Sequence, residues 1–156
     1  MDWVAHLVYG ALVRRERRRA RLAGNRLQTR QSDSKPRHLK VGARGETLAY
    51  WHLRREGYVI VARNRRPRSR SGELDMVGWD GSVLAFIEVK TRTGEETGPP
   101  EMALSPEQQS RIVMGAQEYM RRLRTQPSAY RFDVASVLWD HACGYRVRLI
   151  KDAFGG

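Results

Sequence analysis

The sequence predicts an α/β fold in which a mixed five-stranded sheet is flanked by helices. Segments with helical and strand patterns follow each other in the order helix, three strands, helix, two strands, which favours a layered α/β domain. A Gly-containing dipeptide marks a tight hairpin between two of the strands. The length of 156 residues, of which 40% are apolar, fits a single core. We therefore expect one folded domain over residues 41–156, preceded by a basic extension over residues 1–40.

The extension carries most of the excess positive charge. Residues 1–40 hold 11 Lys and Arg against three acids, so they contribute +8 to the net charge of +12. The stretch from Trp3 to about Leu27 has the pattern of a helix, apolar at first and then Arg-rich, whereas Gln28–Lys40 has the polar composition of a linker. The sequence leaves three roles open for this extension: a nucleic-acid tether, a helix on a membrane surface, or an artefact of start-site choice.

Two helices of the domain have recognisable ends. Val41–Glu56 has helical periodicity and is followed by Gly57, the residue type that commonly ends a helix. Ser105-Pro106-Glu107-Gln108 has the form of a capping box with Pro at the first helical position. The second helix is therefore expected from Pro106 to about Arg124.

Five segments have the composition or the alternation typical of strands. They are Tyr58–Ala62, Gly72–Trp79, Ser82–Arg92, a strand around Arg131–Leu138, and Tyr145–Ile150. Asp80–Gly81 is predicted to form the two-residue loop of a hairpin, because Gly tolerates the positive φ that such a turn requires. In that register Trp79 pairs with Ser82, Phe86 with Asp75, and Glu88 with Glu73.

This register gathers charged side chains on one face of the hairpin, since residues two apart on a strand share a face. The charged residues are Glu73, Asp75, Glu88 and Lys90. Leu84 and Phe86 share their face, which indicates that it is covered, and Glu46 lies on the apolar stripe of the first helix. Because like charges opposite each other destabilise a strand pair, a divalent cation would offset their repulsion. The alternative is a solvated sheet face with a Glu–Lys network.

Four short motifs occur in the order of a known family. They are Gly42-Ala43-Arg44-Gly45-Glu46, Gly72-Glu73-Leu74-Asp75, Phe86-Ile87-Glu88-Val89-Lys90-Thr91-Arg92 and Arg131-Phe132-Asp133-Val134. With these motifs the chain resembles the bacterial YraN (UPF0102) family over about residues 40–150. That family in turn resembles the PD-(D/E)xK restriction-endonuclease-like superfamily, and its pattern is similar to that of the archaeal Holliday-junction resolvases. The resemblance implies a restriction-endonuclease-like core.

The resemblance also implies roles for individual residues. Asp75 and Glu88, with the Val89 carbonyl, would bind Mg²⁺ or Mn²⁺, Lys90 would be the catalytic lysine, and Glu46 an auxiliary carboxylate. Glu73 and Asp133 match motif positions and are interpreted as supporting residues. Asn64 also matches, and capping and phosphate-facing roles both stay open for it. Gln108 stands where the family commonly has a basic residue, which weakens the expectation of DNA contacts from that helix.

The implied function is a metal-dependent endonuclease that hydrolyses phosphodiester bonds of DNA, with branched or structured DNA as the substrate that the resolvase-like pattern suggests. The strongly basic composition favours a nucleic-acid partner, although 25 of the 29 basic residues are Arg, which codon bias alone can produce. A cluster of arginines is expected to contact backbone phosphates. Its members are Arg63, Arg65, Arg66, Arg68, Arg70 and Arg92. For the loop 66–70 a solvated charge run is an equal alternative.

Other classes of function fit less well. The longest apolar stretch, Trp3–Val13, has 11 residues, fewer than the ~20 that span a bilayer. Asp2 stands where a secretory signal would be positive, and Cys143 is the only cysteine, so we expect a cytoplasmic protein without disulfides. The alternative to a nuclease is a non-catalytic nucleic-acid-binding module of the same fold. Symmetric cutting of paired strands would require a homodimer.

Overall fold

The computed structural model describes residues 3–24, 37–65, 72–93, 104–140 and 144–155. Within these ranges lie three helices and five strands. They are α1 (Trp3–Gly24), α2 (Arg37–Arg55), β1 (Val59–Arg65), β2 (Leu74–Asp80), β3 (Val83–Thr93), α3 (Pro106–Arg121), β4 (Ala129–Asp140) and β5 (Gly144–Phe154). The strands form one sheet in the order β1-β2-β3-β4-β5, in which β3 and β4 are parallel and the other neighbours antiparallel. The predicted mixed five-stranded α/β fold is confirmed.

Helices cover both faces of the sheet. On one face, which we call the α2 face, α2 packs on apolar side chains such as Ile87 and Ala135. On the other, the α3 face, residues such as Phe86, Phe132 and Val134 pack under α3. Each face thus has its own hydrophobic core, and the alternation of side chains along each strand decides which residues enter which core.

The first part of the extension packs against the domain. Leu12 and Val13 of α1 contact the core on the α2 face. The Tyr9 ring lies 5.4 Å from the His52 ring of α2, and the Arg55 guanidinium lies 4.5 Å from the Tyr9 centroid. The predicted helix is therefore present. The linker prediction is wrong at its end, because residues 37–40 begin α2, and residues 28–36 lie outside the described residues.

The C-terminal end of α2 and the start of α3 follow the predicted signals, whereas α3 ends at Arg121 and not near Arg124. The backbone N–H of Tyr58 donates to the Leu53 carbonyl and that of Gly57, at φ 96°, donates to the Arg54 carbonyl, so α2 ends in a Schellman motif. At α3 the Ser105 hydroxyl and the Gln108 side chain form the expected reciprocal capping box. Gln108 thus caps its own helix.

No helix among the described residues is long and apolar enough to cross a membrane.

The predicted register of the β2–β3 hairpin is wrong. Asp80 pairs with Val83, so the two-residue loop is Gly81–Ser82 and not Asp80–Gly81. Gly81 has φ 61° and takes the first central position of the turn, where a type II′ turn needs glycine. Asp80 is held in the strand by ion pairs to Lys151 at 2.6 Å and Arg131 at 2.5 Å.

The corrected register changes which residues face each other. Phe86 pairs with Val77 and not with Asp75, and the recorded pairs end at Met76–Ile87. Continuing this register by one pair brings Asp75, and not Glu73, opposite Glu88. The shift thus moves the expected partner of Glu88 by two residues, from Glu73 to Asp75. Residues two apart lie on the same side of a regular strand, so a carboxylate is still expected opposite Glu88.

Candidate active site

Asp75 occupies an irregular point of β2. Leu74 packs with Val77 on the α3 face, whereas Met76 packs on the α2 face, so the regular alternation breaks next to Asp75. There the Asp75 Oδ2 accepts a hydrogen bond of 2.8 Å from the backbone N–H of Val89 on β3. A side chain thus joins the two strands just beyond their last recorded backbone pair, and this bond fixes the carboxylate beside β3.

Glu88 and Lys90 stand next to each other on the α3 face of β3. They are two residues apart and continue the side of the strand on which Leu84 and Phe86 are buried. The Lys90 Nζ lies 2.9 Å from the Glu88 Oε1, and the two side chains are only 23% and 16% exposed. The predicted covering of this face is confirmed for Leu84 and Phe86, and it leaves the ion pair partly desolvated.

The pKa of Asp75 is shifted by the charged groups around it. Burial, followed by repulsion from the Glu88 carboxylate, raises the pKa of Asp75 to about 7. Glu46 raises this pKa further, while the Val89 N–H and Lys90 act in the opposite direction. Glu46, Asp75, Glu88 and Lys90 therefore form one electrostatic cluster, which we call the acidic site. The structure brings together the four residues that the sequence analysis assigned to catalysis.

A close approach of α2 to β3 brings Glu46 to the cluster. A Cβ atom at Gly45 would lie 1.8 Å from the Thr91 Oγ1, so the helix backbone rests on Thr91 and only glycine fits there. Thr91 follows Lys90 directly, and Glu46 follows Gly45. The contact of Gly45 with Thr91 therefore places the partly buried Glu46 near the end of β3.

The donors at the acidic site suit a hard divalent cation. Carboxylate oxygens of Asp75 and Glu88 and a backbone carbonyl at Val89 are the ligand types that Mg²⁺ uses, with water completing the shell. The mutual repulsion that raises the Asp75 pKa would be relieved by positive charge between the two acids. In the part of the chain that the structure describes, no group of three or more His, Cys, Asp or Glu is already arranged around an ion position.

Asp133 lies on the opposite face from Glu88 and Lys90, in a separate polar network. Its fully buried carboxylate accepts hydrogen bonds from the Tyr58 hydroxyl, the Arg131 Nε and the Asp152 backbone N–H, each at 2.9 Å. Burial and the nearby Asp133 raise the pKa of Tyr58 above its ordinary value. The network joins Tyr58, which follows α2, to β4 and β5, and its residues are separate from those of the acidic site.

The remaining predicted site residues are not part of the acidic site. Glu73 is exposed directly before β2 and is not one of the four residues of the acidic site. Asn64 is exposed in β1 at φ 48°, a conformation that Asn tolerates better than most residues. Arg63 stacks over the Tyr50 ring at 4.6 Å, Arg65 is exposed, and Arg92 lies partly exposed on β3. Arg66, Arg68 and Arg70 lie outside the described residues.

Three residues near the acidic site were not predicted from the sequence. Ser136 of β4 pairs with Lys90, and Arg148 and Arg146 of β5 pair with Ser136 and Leu138. Alternation along β4 groups Ser136 with Phe132 and Val134. The pairing of β3 with β4 joins segments separated by a helix, however, and no local signal sets its register.

The fold and the acidic site define a class of protein: an α/β domain with a carboxylate–lysine cluster where two antiparallel strands part. The sequence model described as "Uncharacterised protein family UPF0102" matches residues 45–137, which include the whole acidic site. The chain therefore belongs to the UPF0102 family.

Relatives in other bacteria carry the same family name. A UPF0102 protein from Solibacter usitatus is 46% identical over 97 residues, which cover 62% of this chain and 74% of the relative. One from Koribacter versatilis is 41% identical over 119 residues, or 76% of this chain and 82% of the relative. One from Symbiobacterium thermophilum is 44% identical over 115 residues, or 74% of this chain and 96% of the relative.

Proposed function

We propose that this protein is a metal-dependent endonuclease with a restriction-endonuclease-like core of the PD-(D/E)xK type, acting on phosphodiester bonds of DNA. The observation that carries the proposal is the Asp75 carboxylate, fixed to the Val89 N–H at 2.8 Å and raised in pKa by the neighbouring Glu88. A partly buried pair of acids next to a lysine is costly for a fold that has no use for it, and perturbed carboxylates of this kind cluster at catalytic sites.

Asp75 and Glu88, with the Val89 carbonyl, would hold Mg²⁺ or Mn²⁺. The cation would stabilise the negative charge that develops on the phosphate oxygens during hydrolysis. Lys90 is oriented by its 2.9 Å ion pair with Glu88 and donates hydrogen bonds to a non-bridging oxygen of the scissile phosphate. Glu46 adds a negative charge at the edge of the site and orients water there. In the reaction the oxygen of water bonds to phosphorus and loses a proton, one P–O bond to the nucleotide breaks, and the leaving oxygen takes up a proton.

The net charge supports a polyanionic substrate. A net charge of +12 attracts polyanions, and phosphate contacts by arginine position a nucleic acid without reading its sequence. Branched or structured DNA is proposed from the resolvase-like motif pattern alone. A homodimer would allow cutting of paired strands, and a cytoplasmic location would bring the protein to its substrate.

The test is cleavage by the purified protein in Mg²⁺ or Mn²⁺ of four labelled DNA substrates: a four-way junction, a flap, a duplex and a single strand, with an RNA duplex alongside. We expect metal-dependent products that disappear in Asp75→Ala and Lys90→Ala. Glu107→Ala and Lys151→Ala serve as matched controls, because Glu107 and Lys151 are exposed residues outside the acidic site. Cleavage that survives both site variants would refute this assignment.

A second candidate is a nucleic-acid-binding module of the same fold without catalysis. It is favoured by the Lys90–Glu88 ion pair, since a carboxylate that is already neutralised at 2.9 Å has less need of a metal. This candidate predicts salt-sensitive DNA binding and no cleavage in either metal. Binding that does not change between 50 and about 200 mM salt would count against it.

A further inference from the structure

A row of polar side chains crosses three strands beside the acidic site. Lys90 of β3 pairs with Ser136 of β4, and Ser136 pairs with Arg148 of β5. Paired residues on neighbouring strands project from the same face, so these three side chains lie in line on the α3 face. With strands ~4.8 Å apart, the row extends about 10 Å from the acidic site. We call it the polar row.

A second arginine of β5 lies on the same side. Arg146 pairs with Leu138, which is two residues from Ser136 and therefore projects from the α3 face. The intervening residues of β5, such as Tyr145 and Val147, pack on the α2 face. Both Arg146 and Arg148 are exposed, whereas Phe132 further back on β4 is buried under α3. The polar row thus begins where the cover of the α3 face ends.

Ser136 is unusual for a buried residue. It is only 6% exposed, and among the residues that the structure describes its hydroxyl has no hydrogen-bond partner. Buried polar groups are nearly always paired, because an unpaired hydroxyl loses its bonds to water and gains none in return. The side chain projects from the same face as Lys90, its strand neighbour. An acceptor supplied by a ligand in the site would satisfy it.

The two arginines of β5 are also open to a ligand. In the described ranges no acidic side chain forms an ion pair with Arg146 or Arg148. A guanidinium matches the geometry of phosphate with two parallel hydrogen bonds, and a hydroxyl donates a single bond to a phosphate oxygen. Cations and a hydroxyl in line, next to a candidate phosphodiester site, have the chemistry of a backbone contact surface.

We propose that the polar row, with Arg146 beside it, binds the sugar-phosphate backbone of a nucleic acid and leads the strand into the acidic site. Ser136 and Lys90 contact the phosphate nearest the site, and Arg148 and Arg146 contact phosphates further along the strand. The proposal rests on the proposed function for the identity of the ligand as nucleic acid. It adds the direction in which the strand runs: across β4 and β5, away from β2.

A simpler explanation for the arginines is protection of a sheet edge. β5 is an edge strand, and charged side chains on edge strands prevent pairing with other chains. That explanation accounts for Arg146 and Arg148 but not for the buried hydroxyl of Ser136. It also predicts that loss of the arginines promotes self-association and leaves DNA binding unchanged.

The test is a salt titration of DNA binding by the full chain in EDTA, followed by fluorescence anisotropy of a labelled duplex. The double variant Arg146→Gln/Arg148→Gln is compared with Arg121→Gln/Arg124→Gln, which removes the same charge from exposed positions near the end of α3. We expect the first to lower the slope of log K against log[salt] by about 1 to 2, since each lost phosphate contact removes about 0.9. The control should lower it by less than about 0.5.

Ser136→Ala provides the second measurement. We expect binding to weaken by about 3- to 10-fold while the melting temperature stays at or above that of the wild type, because the variant removes an unpaired buried hydroxyl. If Ser136 had a purely structural role, the Ser136→Ala variant would show a lower melting temperature together with weaker binding. Equal slopes for the two double variants, a Ser136→Ala variant that binds normally, or one whose binding loss is accompanied by a lower melting temperature would overturn the proposal.

The outcomes separate this proposal from the proposed function. If the wild type binds DNA through the arginines of β5 but cuts nothing in Mg²⁺ or Mn²⁺, the polar row stands and the endonuclease assignment fails. If the wild type cuts DNA and the β5 variants bind and cut like the control, the acidic site stands and the polar row fails. Absence of DNA binding by the wild type overturns both.

Discussion

Asp75 is the residue on which the chemistry of the acidic site depends. Its carboxylate is held by one backbone N–H and faces two other acids, so the fold keeps it in a position where ionisation is unfavourable. Active sites commonly retain such local instability because the group is needed for binding or catalysis. The free energy of unfolding of the metal-free protein should therefore depend on this one group.

Asp75→Asn is expected to stabilise the metal-free protein at high pH. The pKa of Asp75 is raised from 3.8 to about 7, so the folded state binds more protons than the unfolded state in that window. The stability that this group confers is complete below pH 3.8 and is lost as the pH rises through about 7. In urea unfolding with EDTA, the variant should gain roughly 1–3 kcal/mol at pH 8 and much less at pH 5.

Asp80→Asn is the control with the opposite sign. Hydrogen bonds from Lys151, followed by those from Arg131, lower the pKa of Asp80, so its ionised form stabilises the folded state above its unfolded pKa. This variant should lose stability at pH 8. A loss of stability by Asp75→Asn at both pH values would show that the acidic site is not under electrostatic strain.

At the residue scale, the sequence predicted the shared face of Glu88 and Lys90 but not the pairing of their strand with β2. Glu88 and Lys90 are two apart, so any strand places them on one face, and this did not depend on the hairpin loop. The partner of Glu88 did depend on it. Because the loop starts at Gly81, the register of the paired residues, extended by one pair, brings Asp75 and not Glu73 opposite Glu88. A local φ preference alone does not choose between the two adjacent turns.

At the scale of elements, the contact between α2 and β3 sets the position of Glu46. The helix can approach this closely only because Gly45 has no side chain to meet Thr91. The sequence predicted the helix and its end at Gly57, since both are local signals. It did not predict the irregularity at Asp75, where Leu74 packs in the core of the α3 face and Met76 in the core of the α2 face. Which core each of these residues enters depends on tertiary packing and not on a local signal.

Gly45→Ala is therefore expected to destabilise the protein despite its better helix propensity. The new Cβ would lie 1.8 Å from the Thr91 Oγ1 and 3.0 Å from the Thr91 Cβ, so α2 or β3 must shift. We expect a loss of about 1–3 kcal/mol in the free energy of unfolding. In the double variant Gly45→Ala/Thr91→Gly much of this loss should be recovered, as a coupling between contacting residues.

Gly42→Ala provides the matched control in the same helix. A Cβ at Gly42 meets no atom within 4 Å, so this variant should gain up to about 1 kcal/mol from helix propensity. If thermal melts give the two alanine variants the same stability, the close approach of α2 to β3 does not exist in solution.

At the scale of the whole molecule, the helix α1 belongs to the fold. Ala5 is fully buried, and Leu12 and Val13 pack on the core of the α2 face, which α1 covers together with α2. The sequence identified a helix here but not where it packs, because a pattern of apolar residues does not show which surface of the protein covers them. The same limit applies to the parallel pairing of β3 with β4, which positions Ser136 beside Lys90.

Removal of residues 1–24 is expected to lower the melting temperature by several degrees and to increase binding of an apolar dye, because Leu12 and Val13 leave the core. The control is Trp3→Ser/Leu7→Ser in the full chain, since these side chains are 71% and 58% exposed and cover little. An unchanged melting temperature in the truncated protein would mean that α1 is an independent tether.

The most direct test of the central claim is isothermal titration of Mn²⁺ into the full chain in the presence of a DNA oligonucleotide at pH 8. Binding at the acidic site predicts a saturable heat in the wild type that is absent in Asp75→Asn and Glu88→Gln and present in Glu107→Gln. No heat in the wild type, or the same heat in all four proteins, would contradict the assignment of Asp75 and Glu88 as a divalent-metal site.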